Sequence, residues 1–141
     1  MVRHLYTVFI LTLFTTFSLS AFALPVAGLL GRWRAIDYVQ GQNVEFDLRF
    51  NFQQDMTEMS VTCLYPDGAS LETHAQASTN YSANEIYIQQ TNNSVIDDGF
   101  HFCRATLQPT KWTAYFDGTG QMVLFVDVPF QSRLTLARDE I

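Results

Sequence analysis

An all-β fold, an eight- to nine-stranded antiparallel up-and-down β-barrel, is what this 141-residue chain predicts, and three observations point to it. Apolar residues recur with period two, most cleanly from 44 to 52, where Phe46, Leu48, Phe50 and Phe52 alternate with Glu45, Asp47, Arg49 and Asn51. That alternation describes a sheet with one buried and one wet face. Turn signals interrupt the pattern every ~8 to 15 residues, the spacing of a small meander. Beyond the first two dozen residues, no stretch carries the 3.6-residue period of an amphipathic helix.

The elements follow in order. Residues 1–23 read as a cleaved signal peptide. Met1-Val2-Arg3-His4 is a basic start, residues 5–22 are largely apolar, and Ala21-Phe22-Ala23 places small residues at the −3 and −1 positions of a cleavage site. Residues 24–141 then form a single domain by length. Within it, strands are expected at about 32–39, 44–52, 56–65, 70–77, 85–91, 100–108, 111–116, 121–128 and 133–138. Tyr65-Pro66-Asp67-Gly68 and Asp117-Gly118-Thr119-Gly120 supply the sharpest turns, because proline presets φ and glycine accepts positive φ. Residues 92–99 read as a polar loop, and Pro109 and Pro129 break strands. Consecutive strands of this kind close into a barrel, which removes exposed sheet edges.

The formal net charge is −6, and loss of Arg3 with the leader would make it one unit more negative. Such a surface repels phosphate backbones and anionic headgroups, so nucleic acid is not an expected partner. No membrane insertion is expected once the leader is removed, and the expected location is secreted or periplasmic. The two cysteines, Cys63 and Cys103, fit one structural disulfide in an oxidising compartment. Its loop of about 41 residues is worth about 3–4 kcal/mol in the chain-entropy account.

Two short motifs frame the domain. Gly31-Arg32-Trp33 opens the first strand and Leu134-Thr135-Leu136-Ala137-Arg138 closes the last. Glycine permits a tight entry, tryptophan buries a large area, and a guanidinium stacks well on an indole. In this pairing the chain resembles the lipocalin-like (calycin-type) small secreted β-barrels. The resemblance implies that Gly31, Trp33 and Arg138 are structural, closing the floor of the barrel, and that the protein binds a small hydrophobic ligand. The Thr-Asp-Tyr element of lipocalins proper has no counterpart, and the domain is shorter than most of them, so the broader lipocalin-like group is the one resembled.

Candidate chemistry is sparse. His74 and His101 have no second ligand at metal-binding spacing on their strands, and Asp97-Asp98-Gly99 reads as a solvated turn. There is no nucleophile elbow or phosphate loop. No metal, no cofactor and no enzymatic activity are therefore expected, an enzyme ranking behind the binding readings. Aromatic residues make up 14% of the chain, with 12 Phe. Phe46, Phe50, Phe102 and Phe125 are candidate ligand-binding positions inside the barrel, with Arg104 as a partner for a ligand's acid group.

The phase of 100–108 decides Arg104. Inward Phe100 and Phe102 bring Arg104 inward, whereas inward Cys103, Ala105 and Leu107 leave it a surface charge. The second phase is apolar throughout and is favoured. A disulfide through the interior would leave little room for a ligand at its level. Two partners thus remain: a small hydrophobic molecule within the barrel, or a protein that meets its mouth loops, such as 92–99, on a filled and rigid scaffold.

Overall fold

The computed structural model describes residues 25–39, 41, 43–128 and 130–140. The expected leader, 1–23, lies outside them. Ten strands follow one another: β1 (Gly31–Val39), β2 (Val44–Phe52), β3 (Met56–Leu64), β4 (Ser70–Ser82), β5 (Glu85–Asn92), β6 (Ser94–Asp97), β7 (Phe102–Ala105), β8 (Thr110–Phe116), β9 (Gln121–Val128) and β10 (Phe130–Arg138). Eight of them close a barrel in the order β1-β10-β9-β8-β5-β4-β3-β2, all antiparallel. The barrel is an up-and-down meander with one interruption. Between β5 and β8 the chain makes a separate two-stranded hairpin, β6–β7.

Three sequence expectations change here. Residues 94–97, expected as loop, are a strand, and the strand expected over 100–108 shrinks to Phe102–Ala105. β4 runs on to Ser82, past the expected end at 77, with a register shift between Ala77 and Thr79. Such a bulge bends a strand and lets it follow the curvature of a closing sheet.

The interior is built by period two. Trp33 and Ala35, Phe50 and Phe52, Met59, Val61 and Cys63, Ile86 and Ile88, Trp112 and Ala114, and Met122 and Leu124 are all buried. Each large apolar side chain removed from water contributes about 1.5–3 kcal/mol. Aromatic rings fill one end: Phe50 stacks on Phe52 at 5.8 Å, and Trp112 meets Phe50 edge-on at 5.9 Å. The buried hydroxyls of Thr57 and Thr79 pair with each other at 2.8 Å, so neither is left unsatisfied.

The floor explains the end motifs. Trp33 and Arg138 are cross-strand partners where β1 meets β10. The Arg138 guanidinium lies 4.0 Å from the centre of the Trp33 ring, a cation–π contact. Trp33 Nε1 donates to the Leu29 carbonyl at 2.9 Å, while Arg138 donates to the carbonyls of Leu30, at 2.8 Å, and Gly28. Gly31 has φ +119°, and a Cβ there would sit 2.6 Å from Arg138 Nη1. Only glycine combines that backbone conformation with that approach.

An eight-stranded closed barrel with this floor is compatible with a lipocalin-like fold. Among the described residues no helix is long and apolar enough to cross a membrane. Cys63 and Cys103 form a disulfide with Cα atoms 5.9 Å apart, the chemistry of an oxidising compartment.

Candidate functional site

The hairpin begins where β5 leaves the barrel wall. Asn93 Oδ1 accepts from the Leu107 amide at 2.8 Å and closes the hairpin's base. Next to it, Ser94 Oγ accepts from the His74 amide at 3.2 Å and donates to the His74 carbonyl. One side chain thereby satisfies both backbone groups of a β4 residue beyond the last β4–β5 pair, Gln76 with Asn92.

β7 then packs against β3 and β4. Cys103, Ala105 and Leu107 are fully buried, so the favoured phase of this segment is the one the structure adopts. Small inward residues on β4, Thr73 and Ala75, leave space for a further backbone to approach. The buried side of the hairpin packs on β3 and β4, and Cys63–Cys103 staples it to β3.

The turn of the hairpin is over-determined by polar contacts. Asp97 Oδ1 accepts from the Gly99 amide at 2.8 Å. Asp98 Oδ1 accepts from the amides of Phe100 and His101 at 2.9 and 2.7 Å. These two amides hold the Asp98 carboxyl below the usual carboxylate range. Gly99 supplies the left-handed residue, with φ +89°.

His101 joins this turn to the one between β3 and β4. Its Nε2 lies 2.7 Å from Asp67 Oδ2, its Nδ1 lies 3.4 Å from Asp98 Oδ2, and its ring packs on Tyr65 at 4.3 Å. Desolvation opposes the charged imidazole, but Asp98 and Asp67 outweigh it and raise the His101 pKa above its ordinary value. The Tyr65 hydroxyl donates to the Phe102 carbonyl.

What this framework displays is apolar. Phe100 is 93% exposed at the tip, Phe102 57% and Val95 58%, with Ile96 beside them. The register pairs Val95 with Arg104 and Asp97 with Phe102, which puts these four side chains on the outward face. Phe100 thus stands in water on a turn whose backbone is held by Asp97, Asp98 and the His101–Asp67 pair.

The expected ligand-binding residues do not converge. Phe50 is deep in the core and Phe46 packs partly buried against it. Phe102 and Arg104 lie on the outer face of the hairpin, not inside the barrel. Phe125 is also an outward residue, edge-on to Tyr115 at 5.6 Å with Arg133 5.9 Å from its ring centre. Gly31, Trp33 and Arg138 do meet, at the opposite end of the barrel from the hairpin's tip, where Trp33 is buried and the half-exposed Phe116 ring packs on it at 6.0 Å. The sequence offered Phe100 only as a possible inward residue, His101 as a histidine without a metal partner, and Tyr65 and Asp67 as part of a turn, and did not bring them together. The available signal was Val95-Ile96 followed by Asp97-Asp98-Gly99, β-branched residues running into a hairpin turn.

Compared with known protein families, curated proteins and solved structures, the chain matches none.

Proposed function

We propose that this protein is an exported interaction module, secreted or periplasmic, in which a filled lipocalin-like barrel holds the β6–β7 hairpin out toward a protein partner. The observation that carries this reading is Phe100, 93% exposed on a turn pinned by Asp98, His101 and Asp67 and anchored by a disulfide. Phe100, Phe102 and Val95 together expose apolar surface at the hairpin that a partner's pocket would bury. Export is supported by the apolar leader and by the disulfide. The lipocalin-like kinship rests on Gly31, Trp33 and Arg138 and on the eight-stranded closure. A partner's pocket would be small and apolar with cationic groups at its rim, since Asp97, Asp98 and Asp67 flank the tip.

The test uses the full mature chain and its Phe100→Ala variant, each immobilised and exposed to the extracellular or periplasmic fraction of the source. The expected result is a discrete protein retained by the first and lost from the second, with binding of the purified pair weakened at least tenfold by the substitution. Retention that is indifferent to Phe100 overturns the reading. So does the absence of any retained protein together with a small hydrophobic molecule in the native mass spectrum of the purified protein, which would return the function to a carrier.

A further inference from the structure

A second feature lies on the outer wall, away from the hairpin's tip and independent of its function. The strand register aligns Arg32, Asn51, Glu58, Gln76 and Asn92 directly across β1, β2, β3, β4 and β5. Neighbouring strands are about 4.8 Å apart, so this row is about 19 Å long. It lines a depression of about 550 Å³. A second depression, of about 440 Å³, shares Gln76 and Asn92 with the first and continues over Ser78 and Gln90. The first makes a trough across the strands, and the second extends its β4–β5 end along those two strands.

The chemistry of the trough selects against most ligands. Its two arginines, Arg32 and Arg49, are offset by Glu58 and Asp139, and Arg49 already lies 3.5 Å from Asp47 and 3.9 Å from Asp139. An anion would meet two carboxylates, and a cation two guanidiniums. What is left over is hydrogen-bonding capacity. Asn51, Gln76, Gln90 and Asn92 each present an amide with both donor and acceptor atoms, and of these only Asn51, bonded to Glu58 at 3.1 Å, has a side-chain partner within the row.

We infer that this trough binds a linear, neutral oligosaccharide laid across the strands. A pyranose ring advances a glycan chain by roughly one strand spacing, so each ring would meet one amide or ion-paired side chain of the row. Hydroxyl pairs match the donor–acceptor pairs of carboxamides and donate to the acceptor pairs of carboxylates. Exposed hydrogen bonds are individually weak and, among the described residues, no outward aromatic side chain lines the trough to stack a ring, so the affinity lies in the millimolar range, on the order of Kd 1 mM.

The test is an amide NMR titration of the full mature chain with cellotetraose, with chitotetraose and, as a charged comparator, with citrate. The expected result is saturable shifts from at least one tetrasaccharide, confined to β1–β5. The double variant Asn51→Ala with Gln76→Ala should weaken that binding at least fivefold without altering the rest of the spectrum, while Phe100→Ala leaves it unchanged. The inference is overturned if neither sugar gives saturable shifts up to roughly 20 mM, if only citrate does, or if the double variant binds as well as the parent.

Discussion

The floor and the hairpin solve opposite problems with different materials. At the floor, Trp33 is buried beneath the Arg138 guanidinium, and nearly every contact serves closure. At the hairpin, small buried residues such as Cys103 and Ala105 supply little apolar area, and a covalent bond with a set of charged and polar pins replaces it. A segment held by its core must hide its large side chains. One held by a disulfide and a capped turn is free to expose them, and Phe100, Phe102 and Val95 are exposed. The contrast teaches that display of an apolar tip is compatible with order only where something other than apolar burial fixes the backbone.

The strongest challenge to this contrast is at the floor. Trp33→Ala should lower the unfolding free energy by about 3–5 kcal/mol, the range for a large aromatic removed from a packed core. Denaturant unfolding would show it as a single transition moved to lower concentration. An unchanged midpoint would mean that the floor does not hold the barrel closed. Replacing both cysteines by alanine should cost up to about 3–4 kcal/mol in the chain-entropy account for a loop of sequence separation 40. Its distribution is the more telling part. Hydrogen exchange should quicken first at Ser94–Asp97 and Phe102–Ala105, while the amides of β1 and β10 keep their protection. Equal losses at both ends would show that the two regions are one cooperative unit and that the contrast is false.

The same contrast decides what could be read from the sequence. The barrel was legible because β2 alternates without exception between Phe46 and Phe52, and because Gly31, Trp33 and Arg138 form a closure set whose chemistry is local. Phe125 was misplaced because β9 carries apolar residues on both faces. Met122 and Leu124 point inward and Val123 and Phe125 outward, so period two alone gives no phase. The hairpin was harder still. Asn92-Asn93-Ser94 looks like loop because it is polar throughout, and the side chains of Asn93 and Ser94 are spent on backbone partners, those of Leu107 and His74, which are known only once the fold exists. The right phase for Cys103, Ala105 and Leu107 was accessible, yet the consequence that Phe100 stands alone in water needed the turn geometry of Asp98 and the reach of Asp67. Small buried residues and exposed large ones invert the usual pattern, and pattern reading fails where that inversion occurs.

The smallest expected effect concerns His101, and it separates a turn held by charge from one held by shape alone. Its folded pKa is raised, by Asp98 and Asp67 against desolvation, so the protonated form is favoured in the folded state. The stabilisation is fully present below the unfolded value of about 6.5 and is lost as the pH rises through the higher folded value. The imidazole should therefore titrate, by NMR, with a midpoint above that of free histidine, and Asp67→Asn and Asp98→Asn should each bring it down. Over the same window the amides of Phe100 and His101 should shift, and the melting temperature should fall slightly as the pH rises. A midpoint at or below that of free histidine would remove the charge clamp. The turn would then rest on the Asp97 and Asp98 caps and the Tyr65 stacking, and the hairpin would resemble the floor, a region fixed by packing and backbone geometry, more closely than the present comparison allows.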